Sequence, residues 1–239
     1  MKNSIFFNAL VLGFLMIVSP LSRAQDVDLV LTHTMKSLGA DGITRSAEFS
    51  ERVVRRKGQI WTERIVPAGA LALFKEKNIN DEKEFDTALA SRWVVRRGNT
   101  KSDTKPELML VSARAKLVVP IDKPDYENVG FDGSWESAYY LLDPKMLVQM
   151  RAVGARQADG GQWYESVNQP KRGESVGANN NVTKILWDEN LKYPRQIEST
   201  RGNGTDKKKM VATKMDSPKI LPWDLAKTYQ HKNYADFLD

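Results

Sequence analysis

Two histidines and one nearby methionine are the side chains best suited to binding a metal. His33 and Met35 lie two residues apart, and His231 lies close to the C-terminal end. Imidazole and thioether groups suit soft copper, and Met210 or Met215 could supply a further ligand. In a helix, residues at this spacing point about 200° apart. A metal-handling or redox accessory protein is therefore one alternative, and two ordinary surface or capping histidines are the simpler interpretation.

The common catalytic motifs are missing from the sequence. It contains no cysteine, which excludes disulfides, Cys-ligated zinc, iron–sulfur clusters and thiol nucleophiles. It has no G-x-S-x-G nucleophile turn and no phosphate-binding G-x-x-x-x-G-K motif. Acid pairs such as Glu48 with Glu51 or Asp122 with Asp125 arise by chance among 30 acidic residues. We therefore predict no catalytic residue and no cofactor, with an unrecognised hydrolase as a second alternative.

Six tryptophans are spread along the chain. Four of them, Trp61, Trp93, Trp135 and Trp187, lie on or beside predicted strands. In a curved sheet capped by helices, these side chains could line an apolar face that binds an acyl chain or another amphiphile. The four tryptophans are therefore the predicted ligand cavity, and a tryptophan-rich core is the alternative.

Basic residues form three clusters, and the whole chain has a net charge of +6. At a cavity rim, such clusters could hold an anionic headgroup or a membrane surface. Solvated charge that protects edge strands and turns is the commoner explanation. Because bases and acids are interleaved almost throughout, the sequence does not predict a nucleic-acid partner. The clusters are Arg52/Arg55/Arg56/Lys57, Arg96/Arg97 and Lys207/Lys208/Lys209.

The first 24 residues have the pattern of a secretory signal peptide. Lys2 precedes an apolar run over 5–18, and Ser22 and Ala24 are small residues before a predicted cleavage point after Ala24. The run is short for a membrane span, and no later stretch approaches about 20 apolar residues. We expect an exported periplasmic protein with no transmembrane segment in the mature chain. The absence of cysteine agrees with a bacterial envelope protein that needs no disulfide.

The rest of the chain alternates strand patterns with short helical ones. Apolar spacing near 3.6 predicts an opening helix over 26–39, and a glycine turn at Gly58 predicts a hairpin. A short helix is predicted over 135–142. The clearest region is the last third, where strands over 182–188, 195–200 and 209–215 form a meander. The tail over 221–239 is predicted to be a short helix that covers the sheet edge or the cavity mouth.

That order of elements resembles the envelope lipoprotein-carrier fold, the half-barrel shared by LolA/LolB-type carriers and related sensor domains that bind lipid or lipopolysaccharide. The resemblance rests on residues 185–188, 193–198 and 209–213, which have the form of a strand, a turn over a proline and two returning strands. It covers the last third of the chain by sequence and the middle by architecture. It implies the half-barrel fold and an apolar cavity, and it transfers no functional residue.

Taken together, these patterns predict a mainly antiparallel β protein with short helices, folded as an open half-barrel of the α+β class. Residues 25–239 form a single domain with the C-terminal tail packed on it. The predicted function is noncatalytic: binding or carrying a lipid, a lipoprotein acyl chain or another amphipathic envelope molecule, or acting as an accessory factor to another envelope protein. Copper enters only under the metal-handling alternative.

Overall fold

In its described residues, the computed structural model has one sheet of twelve strands and three short α-helices. It describes residues 26–67, 69, 85–87, 89–96, 105–168, 181–201 and 204–237, so the predicted leader lies outside the described residues. The helices are α1 (Trp135–Tyr140), α2 (Lys145–Val148) and α3 (Pro222–Ala226). The strands are β1 (Val27–Leu38), β2 (Thr44–Arg56), β3 (Gln59–Ile65), β4 (Ser91–Arg96), β5 (Pro106–Ser112), β6 (Leu117–Ile121), β7 (Arg151–Val153), β8 (Gly161–Asn168), β9 (Asn181–Asp188), β10 (Tyr193–Arg201), β11 (Asp206–Lys214) and β12 (Gln230–His231).

The strands follow a simple order across the sheet, β12-β6-β5-β4-β3-β2-β1-β11-β10-β9-β8-β7. Neighbouring strands are antiparallel except at β12, which runs parallel to β6. The two end strands do not pair with each other, so the sheet is open. The prediction of a mainly antiparallel, open sheet with short helices is confirmed, and so is the meander of β9, β10 and β11.

The predicted opening helix is wrong, because residues 27–38 form strand β1. This strand lies at the centre of the sheet between β2 and β11. Val27, Leu29 and Leu31 are buried at a spacing of two, which is the period of a strand with one face against a core. Val30 and Met35 fall near a helical spacing only by coincidence. Pairing on both sides then satisfies the backbone of β1 along its length.

The two faces of the sheet carry different apolar cores. On one face, which we call the groove face, Leu29, Val53, Ile60 and Leu108 pack beneath the segment 122–142. On the other, the back face, Val54, Trp61 and Met109 pack with Trp223 of α3. Strand alternation explains the division, since Val53 and Val54 are neighbours in sequence and point to opposite faces. Apolar clusters therefore lie on both faces of the sheet between β2 and β6.

The C-terminal segment holds one end of the sheet. Trp223 and Ala226 of α3 are buried on the back face. The chain then adds β12 to β6, where Gln230 N donates to Lys116 O at 2.9 Å and Lys232 N donates to Val118 O at 3.1 Å. The tail therefore covers the back face and pairs with the β6 edge.

Candidate ligand-binding groove

An open groove of about 600 Å³ lies on the groove face beside the packed core. Its volume is in the usual range of small-molecule sites. The floor comes from β1, β2, β3, β4, β10 and β11, and the wall comes from residues 130–141. The apolar side chains that line it are Leu31, Met35, Ile60, Val94, Phe131, Ala138, Leu141, Ile197 and Met210.

Helix α1 and the loop before it form the wall of the groove. Ser134 begins α1, and its Oγ accepts a hydrogen bond from Ser137 N at 3.0 Å. Leu141 ends the helix with a positive φ of 63°. Arg92 of β4 holds the loop, since its Nη2 donates to Val129 O at 2.8 Å. The wall is thus tied directly to the sheet.

Arg55 of β2 anchors α1 to the sheet from below. It is 1% exposed. Its Nη1 donates to Tyr139 O at 3.1 Å and to Lys192 O at 3.0 Å, and its Nη2 donates to Leu191 O at 2.5 Å. Burial lowers the pKa of Arg55 from its ordinary value, and burial also raises the pKa of Tyr139. An arginine remains charged under these conditions, because its ordinary pKa is so high. One buried cation therefore joins β2, α1 and the β9–β10 turn.

Part of the groove face is filled by the protein's own aromatic side chains. The ring of Tyr126 meets that of Phe131 edge-on at 4.9 Å, and the Trp135 and Tyr139 rings stack at 4.8 Å. All four residues are buried in the core beneath segment 122–142. The groove is therefore the part of this face that these aromatics leave open.

Polar groups gather around the end of the groove that lies along β1. His33 stacks on Phe49 with ring centroids 4.6 Å apart, and its Nε2 lies 3.2 Å from Glu51 Oε2. Lys208 and Ser199 line the same end. The sequence signal for this cluster was the basic run 207–209, but only the strand register shows that Lys208 faces the groove, opposite Met35.

The four predicted cavity tryptophans lie in three separate packed clusters. Trp61 is buried on the back face and contacts Trp93 at 6.4 Å between ring centroids. Trp135 is buried beneath the wall helix, and Trp187 packs with Leu147 near α2. Among the described residues that line the groove there is no tryptophan. The structure therefore does not bring the four together around one cavity.

Three soft donor side chains do share the groove. Because β1 is a strand and not a helix, His33 and Met35 point to the same face. Met210 of β11 is directly opposite His33, and all three residues line the groove. His231 lies in β12, with five strands between it and β1. Within the described ranges, no three His, Asp or Glu residues cluster as a metal site would require.

The two acid pairs named from the sequence do not form paired carboxylates in a cleft. Glu51 faces the groove and lies beside His33. Glu48, three residues away on the same strand, is directly opposite Thr34, at an alternation that points to the back face. Asp122 and Asp125 flank a 3-10 turn between β6 and α1, where the Asp125 side chain accepts from Asn128. Glu51 therefore interacts with a histidine, and Asp125 accepts a hydrogen bond from an asparagine three residues later.

Family models and curated proteins compared with the chain give no match. Solved structures do match in fold. One is an uncharacterized conserved protein from Thermus thermophilus, at 11% identity and a TM-score of 0.39, covering 89% of this chain and 91% of that chain. A putative outer membrane lipoprotein-sorting protein domain from Vibrio parahaemolyticus matches at 11% identity and a TM-score of 0.32, covering 84% of this chain and 90% of that chain.

The Pseudomonas aeruginosa MucA/MucB complex matches at 11% identity and a TM-score of 0.38, covering 84% of this chain and 56% of that chain. The lipoprotein-sorting domain among these structures has the name of the fold that the sequence resembles. At these identities and TM-scores the likeness concerns the arrangement of strands and does not identify a ligand. Separately, no helix in the described part of the chain is long and apolar enough to cross a membrane.

Proposed function

We propose that this protein is a noncatalytic binder of an amphipathic envelope molecule, a lipid or a lipoprotein acyl chain, which it carries or presents. The observation that supports this proposal is the open groove, where Met35, Leu141 and Ile197 are apolar side chains that keep accessible surface above the buried floor. Burying apolar surface contributes roughly 25 cal/mol per Å². The groove is open to solvent along the sheet, so an extended chain can enter without unfolding the core.

The proposed location is the periplasm, and it rests on the signal-peptide pattern of residues 1–24. Such a compartment supplies lipids and lipoproteins in water, where a protein groove can shield an acyl chain. A second envelope protein that delivers or receives the ligand is part of the same proposal. The tail packs with α3 on the back face and with Tyr234 and Phe237 against the groove-face core. None of its described residues lines the groove, which stays open for that exchange.

A groove-filling variant tests the acyl-binding proposal. Ala138 lies on the inner side of α1 and lines the groove. We expect saturable binding of a fluorescent fatty acyl probe to the wild-type protein, and at least a tenfold weaker affinity in Ala138→Phe, because the ring occupies the ligand's space. Ala152→Phe, on exposed strand β7, is the matched control and should bind normally. Absence of saturable binding to the wild type, or equal binding by Ala138→Phe, contradicts the proposal.

A second candidate, binding of copper(I), is favoured by the convergence of His33, Met35 and Met210 on the groove face. Thioether and imidazole ligands suit this ion. Titration with copper(I) should show one site in the wild-type protein that is lost in Met210→Leu, whereas His231→Ala should bind as the wild type does. Equal uptake by Met210→Leu and the wild type removes this candidate.

A further inference from the structure

The groove continues into a second cavity of different chemistry. This cavity, which we call the basic cradle, has a volume of about 420 Å³ and lies over the far ends of β1, β2, β10 and β11. Met35, Ser199 and Lys208 line both cavities. The two therefore form one continuous channel along the groove face, with Met35 at the junction.

The side chains change from apolar to cationic along this channel. The small side chains of Ser37 and Ala47 leave space in the cradle. The cationic residues that line it are Lys36, Arg45, Arg201, Lys207 and Lys208. One carboxylate, Asp206, lines it too. Arg45 is oriented by Asp41, which accepts from its Nη2 at 2.6 Å and from its Nη1 at 3.1 Å. Cations therefore outnumber acids among the side chains that line the cradle.

Strand alternation places one lysine of the basic run, Lys208, on the groove face. Lys208 is directly opposite Met35 of β1 and Ser199 of β10. Lys207 and Lys209 alternate to the other face, although Lys207 also lines the cradle and Lys209 the groove. Lys209 pairs with Glu198 at 3.3 Å. Within the described part of the chain, no carboxylate lies within ion-pair distance of Lys208. Its ammonium group is exposed beside the junction with the apolar groove.

We infer that the channel binds an acyl amphiphile with an anionic headgroup, phosphate or carboxylate, in one fixed orientation. The acyl chain lies in the groove beside Leu141 and Ile197, and the headgroup lies in the basic cradle beside Lys208 and Arg201. Charge complementarity gives the orientation, because the reverse placement would bury an anion against apolar side chains. This inference rests on the proposed function and adds the headgroup class and its residues.

Calorimetric titration of the purified protein with probes of one chain length tests it. The probes are dodecyl phosphate, dodecyl maltoside and dodecyltrimethylammonium, each below its critical micelle concentration, and inorganic phosphate. We expect dodecyl phosphate to bind at least tenfold more tightly than the neutral maltoside, and inorganic phosphate alone to bind far more weakly. The preference should fall as salt rises, because salt screens exposed charges.

Three variants at two lysines of β11 separate the headgroup contact from net charge. Lys208→Glu should weaken dodecyl phosphate binding about tenfold, the size of a lost charge-assisted contact, and leave dodecyl maltoside unchanged. Lys214→Glu makes the same charge change on the same strand, outside the channel, and should alter neither affinity. Lys208→Gln should give an intermediate loss.

The possible failures are distinguishable. Equal affinity for dodecyl phosphate and dodecyl maltoside, or an equal loss of both in Lys208→Glu, overturns the headgroup inference and leaves the proposed acyl binding in place. Inorganic phosphate that binds as tightly as dodecyl phosphate also overturns it, because the cradle would then be a site for a free anion. If none of the dodecyl probes binds, the proposed function fails and the inference fails with it.

Discussion

The guanidinium of Arg55 lies 5.0 Å from the centre of the Tyr139 ring and donates to the carbonyl oxygen of that same residue. The two residues are 84 positions apart in the chain. One side chain of the sheet thereby fixes both the ring and the backbone at the C-terminal end of α1. The wall of the groove depends on this contact for its position.

Replacing Arg55 with methionine should destabilise the protein strongly. The change keeps an apolar stem of similar length but leaves the carbonyl groups of Tyr139, Leu191 and Lys192 without this donor. We expect a loss of about 3 kcal/mol in the free energy of unfolding, measured by urea denaturation, because each buried carbonyl left without a donor costs about 1–3 kcal/mol. Arg114→Met, at an exposed turn, is the control and should change stability by less than about 0.5 kcal/mol. A loss below about 1 kcal/mol in Arg55→Met would mean that the buried cation is dispensable.

Truncation of Trp223 should separate the tail from the sheet. This residue is buried against Trp61 and Met109 on the back face, and Trp223→Ala should cost about 3–5 kcal/mol through lost burial and the cavity left behind. Leu225→Ala removes an apolar side chain from the same helix at a position that is 48% exposed, and it should have little effect. Thermal and urea unfolding measure both. Similar losses in the two variants would contradict the packing of α3 on the back face.

Stability in acid should report on the ion pair between Asp159 and Arg195. The hydrogen bond from Arg195 holds the pKa of Asp159 below its ordinary value of 3.8, with help from the backbone N–H of Gly161. The unfolded chain therefore binds this proton more readily than the folded protein does. The pair contributes stability above pH 3.8 and loses it as the pH falls through the lower folded pKa.

We therefore expect Asp159→Asn to be less stable than the wild-type protein near pH 6, and the difference to shrink below about pH 4. Urea unfolding across this range measures the difference. Arg195 also binds the buried carboxylate of Asp188, through Nε at 2.9 Å and Nη2 at 2.7 Å, and this contact remains in the variant. A difference that widens as the solution is acidified would contradict the prediction.

The two ends of β1 should respond differently to the same substitution. Leu29 is fully buried near the start of the strand, whereas Leu38 at its end is 46% exposed. Leu29→Ala should cost about 2–5 kcal/mol, and Leu38→Ala should stay within about 0.5 kcal/mol. Urea unfolding of both variants tests whether the strand leaves the core at the basic cradle. A large loss in Leu38→Ala would show that the far end is packed.

Local patterns explain which parts of the fold could be predicted. The meander of β9, β10 and β11 was predictable because its loops are short and each strand follows the last along the chain. The helix prediction for β1 is wrong because its apolar residues happen to match a helical spacing. Its pairing with β11 joins residues about 180 positions apart, which no local pattern shows. Tertiary pairing, which supplies that strand with two neighbours, overrides the local preference.

The groove could not be predicted because its residues come from distant strands and become neighbours only through register. Leu31, Ile60 and Ile197 have no common motif in the sequence. Tryptophan content was a poor guide to the groove, since Trp61 and Trp93 lie on the opposite face. Lys208 was visible as part of a basic run, but its direction depends on the alternation of β11. The partners of Arg55 are backbone carbonyl groups. Every residue has such a group, so the residue types do not indicate which ones Arg55 contacts.

The pairing of β12 with β6 has a consequence for how the molecule behaves at high concentration. An unpaired outer strand is a template on which another copy can add its own strand, and chains of such additions lead to fibrils. In this protein, the backbone of residues 230–232 forms hydrogen bonds with the outer edge of β6. Removing β12 would leave the backbone groups of Leu117 and Val118 without their partners in β12. The C-terminal segment thus limits the addition of a strand from another copy at this position of β6.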